Sequence, residues 1–230
     1  MWGKSKEKME IKRYIDQTFL KPERSREELK NLLDRVVKYE FNTVYVHPIF
    51  VDMARSFLPS HIKVGSVVGF PLGFQSLYVK KTETEDLIDR GANLIDMVIN
   101  INIFKSVDYD YIVKEIGEVK DIIGKRELKV IIETGVLSKE EIKRVCELLI
   151  DGGADYVKTS TGFYKGGAEE EVVRYIKGIV KGKIRIKASG GIRDYSKVIN
   201  LIKSGAERIG TSAGFDIIDK YYKYYNKEER

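Results

Sequence analysis

The stretch DYVKTSTGFYKGGAEEEVVRYIKGIVKGKIRIKASGG, residues 155–191, decides the fold of this chain. It begins with a short apolar run at Asp155–Thr159 and continues through an amphipathic helical pattern at Glu169–Lys181. It then returns to an apolar run at Ile184–Ala188. A strand, a helix and a second strand in this order form a unit whose two strands are parallel.

The same alternation extends along the chain in both directions from this unit. Each strand pattern is followed by a helical one, and a run of βα units in about 250 residues is typical of a closed (β/α)₈ TIM barrel. The alternative is an open doubly wound sheet, but no Gly-x-Gly-x-x-Gly follows an early strand and no Walker-A pattern occurs. The sequence therefore predicts one α/β barrel domain over residues 1–230, with an N-terminal extension or helix at 1–13 and a C-terminal tail at 221–230. The predicted strands are Tyr14–Phe19, Asn42–His47, Ile62–Phe70, Leu94–Asn100, Leu128–Glu133, Asp155–Thr159, Ile184–Ala188 and Glu207–Gly210.

Composition indicates a soluble, intracellular globular protein and gives no sign of a nucleic-acid or membrane partner. The 230 residues carry a net charge of +6, but the 41 basic and 35 acidic residues are interspersed, without a basic tract of the kind that follows nucleic acid. No apolar run approaches the roughly 20 residues that cross a bilayer, and the start of the chain has no secretory signal. The single cysteine, Cys146, excludes an intrachain disulfide, so we expect a cytoplasmic location.

Two lysines lie near the ends of neighbouring apolar strands, Lys158 in the first and Lys187 in the second. An unpaired ammonium is costly in a low-dielectric core, so such a lysine is paired, neutral or extended to solvent. Two of them close together lower each other's proton affinity, which is one route to a neutral, nucleophilic amine. We expect this reactive arrangement, with solvated strand-end lysines as the alternative.

Other polar residues also fall near predicted strand ends, where TIM barrels place their active sites. They are Asp16, His47, Asp96, Asn100 and Glu133. Asp96 and Asn100 share a face of the fourth strand because side chains alternate along a strand. A buried Asp96 that faces lysines would be held as the anion and could relay protons, although a purely structural ion pair is the alternative.

The last two βα turns are rich in glycine, at Gly190-Gly191 and at Gly210-Thr211-Ser212. Phosphate sites in this fold often lie after strands seven and eight, where backbone N–H groups can approach the ligand. Thr211 and Ser212 would add hydroxyl donors. We expect a phosphorylated ligand here.

These motifs together resemble the deoxyribose-phosphate aldolase family. The resemblance extends in order along nearly the whole chain, and its two lysine motifs are specific. It rests on the segments Ile15-Asp16-Gln17-Thr18, Gly69-Phe70-Pro71-Leu72-Gly73, Ile95-Asp96-Met97-Val98-Ile99-Asn100, Leu128–Gly135, Val157-Lys158-Thr159-Ser160-Thr161-Gly162-Phe163, Lys187-Ala188-Ser189-Gly190-Gly191-Ile192-Arg193 and Arg208-Ile209-Gly210-Thr211-Ser212.

The resemblance implies a class I lyase on a TIM barrel that cleaves 2-deoxy-D-ribose 5-phosphate to D-glyceraldehyde 3-phosphate and acetaldehyde in deoxyribonucleotide catabolism. Lys158 matches the lysine that forms the Schiff base, Lys187 the lysine that lowers its pKa, and Asp96 the carboxylate of the proton relay. It also implies that no cofactor or metal takes part. The substrate-binding and phosphate-binding positions are expected at Asp16, Thr18, Gly162, Gly190, Gly191, Gly210, Thr211 and Ser212.

The sequence departs from the family pattern around the sugar end of the expected site. Gln17 stands where a histidine is common, Tyr45 and His47 replace the usual residues before Pro48, and Phe74 begins an unusual stretch. These departures concern substrate selectivity and rate more than the type of reaction.

The C-terminal tail contains tyrosines, and family members can place one over the active site as a proton donor. We expect instead that Tyr221 and Tyr225 lie on one face of the last helix and pack on the barrel.

Two other functions remain open, another class I aldolase of a different phosphorylated sugar and a non-catalytic barrel that binds a phosphorylated metabolite. The expected partners are a small phosphorylated sugar and further copies of this chain, as a homodimer or homotetramer, with neither nucleic acid nor membrane.

Overall fold

The computed structural model describes residues 10–228, with side chains in the last helix described as far as residue 223. Eight parallel strands follow one another in chain order, and the last pairs with the first, with Asp16 opposite Gly210, so that the sheet closes. The TIM barrel predicted from the alternating pattern is confirmed. The strands are β1 (Ile15–Phe19), β2 (Thr43–Val46), β3 (Lys63–Val68), β4 (Leu94–Val98), β5 (Glu127–Ile131), β6 (Tyr156–Lys158), β7 (Arg185–Ser189) and β8 (Arg208–Thr211).

Helices surround the barrel and bury their apolar faces against the strands. In the seventh helix, for example, Val173, Ile176 and Val180 recur at helical spacing and are buried. The α-helices in the described part of the chain are α1 (Arg26–Lys38), α2 (Val51–Phe57), α3 (Leu77–Asp89), α4 (Ile101–Lys105), α5 (Tyr109–Ile123), α6 (Lys139–Asp151), α7 (Glu170–Val180), α8 (Tyr195–Ser204) and α9 (Gly214–Glu228). None of these described helices is long and apolar enough to cross a membrane.

At the chain ends the structure describes a short turn before β1 and a long last helix, and the predicted extension and tail boundaries stay predictions. A 3₁₀ turn at Ile11–Tyr14 precedes β1. Helix α9 continues to Glu228, and Tyr221 is buried with its ring 5.3 Å from that of Tyr195. The expected packing of Tyr221 is confirmed, whereas residues 1–9 and the side chain of Tyr225 lie outside the described residues.

Five strands end earlier than the sequence predicts, β2 and β6 by one residue and β3, β4 and β5 by two, and the differences at β3 and β4 have local causes. Strand β3 stops at Val68 because Gly69 adopts a left-handed conformation with φ of 61°, which turns the chain out of the sheet. Strand β4 stops at Val98, and the side chain of Asn100 then accepts a hydrogen bond from the N–H of Ile103. That cap starts the short helix α4, which the sequence pattern did not predict.

The inside of the barrel is divided between an apolar group and a charged one. The ring of Tyr45 lies across the interior, where a Cβ atom on Gly65 would come within 2.5 Å of it. Gly65 is therefore required for close packing, and Tyr45, Val67 and Leu94 form a small apolar cluster separate from the main core. The charged residues occupy the remaining interior.

Candidate active site

Lys158 and Lys187 are neighbours across adjacent strands, because β6 and β7 pair them directly. Both side chains are almost fully buried, and their ammonium nitrogens donate to the same carboxylate oxygen of Asp96, over 2.8 Å from Lys158 and 2.7 Å from Lys187. The structure thus brings the three predicted catalytic residues into one hydrogen-bonded cluster.

The electrostatics of this cluster favour a lysine that loses its proton readily. Burial is the main cause that lowers the pKa of Lys158 from 10.5 to about 8, and the nearby cation of Lys187 lowers it further, against the attraction of Asp96. The sequence analysis named both burial and Lys187 as causes, and the structure shows that burial contributes more. At neutral pH a substantial minority of Lys158 is therefore the neutral amine that can attack a carbonyl carbon.

Asp96 remains ionised despite its complete burial. Burial alone would raise the pKa of Asp96, but the charges of Lys158 and Lys187 outweigh it and hold that pKa below its usual value. Its other oxygen, Oδ1, has no hydrogen-bond partner among the residues that the structure describes. That oxygen is available to accept a proton or to hold a water molecule.

Asp16 contacts the cluster through Lys187 and does not line the cavity at the C-terminal face of the barrel. Its carboxylate lies 2.8 Å from Lys187 and also pairs with Arg208. Burial opposes ionisation here too, but Lys187 and Arg208 hold the pKa of Asp16 well below its usual value. The structure places Asp16 beside Lys187 and Arg208 and outside the cavity lining, and its predicted part in substrate binding stays a prediction.

The sequence reasoning missed Lys129, a third lysine inside the barrel. It is 1% exposed, lies opposite Asp96 in the pairing of β4 with β5, and stands 4.8 Å from the ring centre of Tyr156. Burial lowers the pKa of Lys129. The available signal was a single charge in the apolar run from Leu128 to Ile132, on the same face as Ile131.

A cavity of about 420 Å³ opens above Lys158 at the C-terminal face of the barrel. Asp96 and Lys187 lie outside its lining, so Lys158 is the member of the cluster that the cavity reaches. The lining includes most of the predicted binding positions, namely Thr18, Gly162, Gly190, Gly191, Gly210, Thr211 and Ser212.

The glycine turns at this face allow backbone to lie where a side chain would intrude. Gly190 has a φ of 95°, and a Cβ atom there would lie 3.0 Å from the Cα atom of Gly167. A Cβ atom on Gly210 would lie 3.1 Å from the side chain of Lys187. Glycine at these two positions keeps the turns close to the lysine cluster, as an anion cradle of backbone N–H groups requires.

The two hydroxyl residues after β8 differ in what they can offer. The hydroxyl of Thr211 donates to the carbonyl of Ile192 over 2.7 Å and accepts from the N–H of Ala213. Its proton is therefore engaged within the loop, and the predicted contact of Thr211 with a phosphate stays a prediction. Ser212 lines the cavity, and its predicted contact with the phosphate stays a prediction.

Gln17, one of the departures from the family pattern, holds this same loop. Its amide nitrogen donates to the carbonyl of Ser212, and its amide oxygen accepts from the N–H of Gly214, each over 3.1 Å. The side chain is fully buried, so it ties β1 to the start of α9. An amide suits this place because one end donates and the other accepts.

The remaining strand-end residues have structural roles or lie apart from the lysines. Glu133 accepts hydrogen bonds from the N–H and hydroxyl of Thr161 and so fixes the turn after β6. Asn100 caps α4, and His47 precedes the 3₁₀ turn at Pro48–Phe50. No group of three or more His, Cys, Asp or Glu residues in the described part of the chain is arranged to hold a metal ion.

Fold and site together define a (β/α)₈ barrel with a deprotonatable lysine at the base of a cavity, which is the architecture of an imine-forming aldolase. A family profile described as DeoC/LacD family aldolase matches residues 11–220. The chain belongs to this aldolase family.

Known proteins agree with this assignment. A deoxyribose-phosphate aldolase of Caldanaerobacter subterraneus subsp. tengcongensis is 44% identical over 227 residues, which cover 97% of this chain and 98% of that protein. The solved structure of QR15, an aldolase, superposes with a TM-score of 0.91 at 40% identity and covers 94% of this chain and 98% of its own. A tetrameric deoxyribose phosphate aldolase from Aeropyrum pernix gives a TM-score of 0.82 at 28% identity, with 92% of this chain and 91% of that one covered.

Proposed function

We propose that the protein is a lyase that reversibly cleaves 2-deoxy-D-ribose 5-phosphate to D-glyceraldehyde 3-phosphate and acetaldehyde. The observation that carries this proposal is Lys158, a buried amine whose pKa is lowered to about 8 at the base of the cavity. A relative that matches nearly the whole chain is a deoxyribose-phosphate aldolase, which supports 2-deoxy-D-ribose 5-phosphate as the substrate. The glycine turns beside the cavity are suited to its phosphate.

In the proposed reaction the neutral amine of Lys158 attacks C1 of the open-chain aldehyde. Loss of water from the resulting carbinolamine gives an iminium ion, which serves as the electron sink for the next step. Removal of the proton from the C3 hydroxyl then breaks the C2–C3 bond, forms the C3 aldehyde and leaves an enamine on Lys158. Protonation of the enamine at C2 and hydrolysis of the imine release acetaldehyde and restore the amine.

Asp96 and Lys187 are proposed to move the protons. The oxygen Oδ1 of Asp96, unpaired in the described structure, is placed to hold a relay water or accept a proton, while Lys187 keeps the carboxylate charged. The iminium ion keeps a positive charge on the nitrogen of Lys158, so Asp96 stays between two cations until the enamine forms, when Lys187 is left as its main cationic partner. The same group can therefore take a proton in one step and return it in another.

The phosphate is proposed to bind backbone N–H groups at Gly190, Gly191 and Gly210 together with Ser212, close to the start of α9. A helix N-terminus and exposed N–H groups both favour an anion. Binding this remote group orients the reacting carbons over Lys158. Gly162 and Thr18 complete the lining around the sugar.

The proposal also covers the cofactor requirement, the cellular location and the oligomeric state of the enzyme. Because the iminium ion supplies the electron sink, the proposed reaction needs neither metal nor cofactor. We further propose that the protein works in the cytoplasm, in deoxyribonucleotide catabolism, as a homodimer or homotetramer. The Aeropyrum pernix relative is tetrameric, which supports this oligomeric state.

Reductive trapping tests the proposal directly. Acetaldehyde and borohydride should add one two-carbon adduct to the protein, and peptide mapping should place the adduct on Lys158. Lys158→Arg, which keeps the charge but is not nucleophilic, is the matched control and should remain unlabelled. A label on Lys187 would reverse the two lysine roles, and a protein that gains no adduct would instead be a non-catalytic binding barrel.

The substrate is tested separately with a panel of phosphorylated sugars. We expect cleavage of 2-deoxy-D-ribose 5-phosphate with release of acetaldehyde, followed by NMR. Preference for a ketose phosphate such as fructose 1,6-bisphosphate would favour a different class I aldolase.

A further inference from the structure

Strands β3 and β4 lose their mutual backbone pairing just before the catalytic face. Their register ends with Val68 opposite Met97, and β3 then turns away at Gly69. On the other side, β4 stays attached to β5, where the N–H of Ile99 donates to Ile131. The end of β4, two residues beyond Asp96, is therefore supported by backbone on one side only.

Side chains of α3 take over the missing backbone hydrogen bonds. The ammonium of Lys80 donates to the carbonyl of Val98 over 2.8 Å. One helical turn later, the carboxylate of Glu83 accepts from the N–H of Gly69 over 2.8 Å. A donor thus reaches the end of β4 and an acceptor reaches the end of β3, which is what the continued ladder would have supplied.

Glu115 on α5 completes this arrangement. It lies 2.7 Å from the ammonium of Lys80, and its other oxygen accepts from the N–H of Asn100 over 3.1 Å. The side chains of Lys80 and Glu115 are both 0% exposed. A buried ion pair adds little stability, because desolvation of the two charges offsets their attraction. A contribution to stability therefore does not explain why Lys80 and Glu115 are buried together.

The turn after Gly69 is packed around the same lysine. A Cβ atom on Gly69 would lie 2.8 Å from Cε of Lys80, and one on Gly73 would lie 2.1 Å from the carbonyl oxygen of Ile99. The N–H of Gly73 also donates to Gly69 over 2.7 Å. The turn, the end of β4 and Lys80 are therefore packed closely against one another.

We propose that Lys80, Glu83 and Glu115 are positioning residues that replace the missing β3–β4 pairing and hold Asp96 in place for proton transfer. The proposal rests on the aldolase function proposed above. A displacement of Asp96 of about 1 Å would lengthen its bonds to both active-site lysines, and an error of that size costs on the order of 100-fold in rate.

The main variant is Lys80→Met with Glu115→Leu. Apolar residues of similar size commonly preserve stability when they replace a buried ion pair, whereas removal of one partner leaves an unpaired charge. This double variant loses the bonds to Val98 and Asn100. We expect kcat to fall about 100-fold with KM changed less than about threefold, because the positioned group acts in the chemical step.

The matched control is a second ion pair between the same two helices, one residue further along α3 and three residues further along α5. Lys81 and Glu118 also form a 2.7 Å pair between α3 and α5, but both side chains are about one-third exposed. Lys81→Met with Glu118→Leu should leave kcat within about twofold, since exposed pairs contribute little.

A second readout separates positioning from a general loss of stability. Asp96 attracts the proton of Lys158, so its displacement should move the midpoint of acetaldehyde trapping to lower pH in the main variant. Near-native kcat, or a loss of kcat with an unchanged trapping midpoint, would overturn the proposal. Trapping uses no sugar phosphate, so this result stands even if the wild-type protein fails to cleave the proposed substrate.

A milder pair of variants covers the case in which the main variant does not fold. Glu83 is half-buried, and Glu83→Gln keeps an oxygen that can accept from Gly69, whereas Glu83→Leu does not. Glu83→Gln should retain turnover, and Glu83→Leu should lose about tenfold or more in kcat. Equal turnover in these two variants would refute the positioning role.

Discussion

Replacement of Lys187 by leucine tests how the buried cluster prepares Lys158. The pKa of Lys158 is about 8 in the intact cluster, against an ordinary value of 10.5. Without Lys187, the repulsion that favours the neutral amine is lost and the attraction of Asp96 is no longer shared. We therefore expect the pKa of Lys158 to rise.

The size of the effect follows from the neutral fraction of the amine. At pH 7 a pKa of about 8 leaves about 9% of Lys158 neutral, whereas a return to 10.5 would leave about 0.03%. Imine formation would then slow about 300-fold at pH 7 and only about fourfold at pH 10. Burial of Lys158 remains in the variant and keeps its pKa below the ordinary value, so these figures are the upper limits of the expected effect.

The assay is the initial rate of borohydride trapping with acetaldehyde between pH 6 and pH 10, since this rate follows the neutral amine without the later proton transfers. Lys183→Leu, at an exposed position before the same strand, is the control and should follow the wild-type profile. A Lys187→Leu protein that traps at the wild-type rate at pH 7, or one whose deficit is the same at pH 7 and pH 10, would refute the electrostatic role.

Three further predictions concern the acid–base group, the phosphate loop and the last helix. Asp96→Asn removes the attraction that raises the pKa of Lys158, so trapping should persist at or below pH 7 while turnover falls at least about 100-fold, measured by acetaldehyde release. Gln17→Leu leaves the N–H of Gly214 unpaired and should cost about 1–3 kcal/mol in denaturant unfolding. It should also raise KM for the phosphorylated sugar without affecting unphosphorylated 2-deoxyribose, and equal effects on both sugars would contradict the proposed loop role. Tyr221→Ala empties a buried site and should cost about 3 kcal/mol with turnover nearly unchanged, whereas a selective loss of deuterium incorporation into acetaldehyde would make the tyrosine catalytic.

Local sequence patterns were sufficient to predict most of the helices and strands. Ser25 and Ser138 start helices α1 and α6 with capping boxes, as their spacing to Glu28 and Glu141 predicts. Such signals act between residues a few positions apart, so they can be recognised without knowledge of the fold. The missed helix α4 begins at a cap supplied by Asn100, a residue that the strand pattern had absorbed.

The lysine cluster was only partly visible in the sequence. Lys158 and Lys187 belong to neighbouring strands, so chain order and parallel pairing already suggest that they are adjacent. The support of Asp96 by Lys80 and Glu115 joins residues that carry no shared motif, and it depends on where β3 turns away.

The sequence by itself determined the alternating βα pattern and the family, and it predicts Lys158 as the reactive lysine, because each of these is carried by short segments of the chain. Only the tertiary structure decided which charges face one another inside the barrel. Pairing of β4 with β5 places Lys129 opposite Asp96, and closure of the sheet by β8 against β1 brings Arg208 to Asp16. Burial in that closed interior then contributes most to the lowered pKa of Lys158, and burial is a property that no local segment possesses.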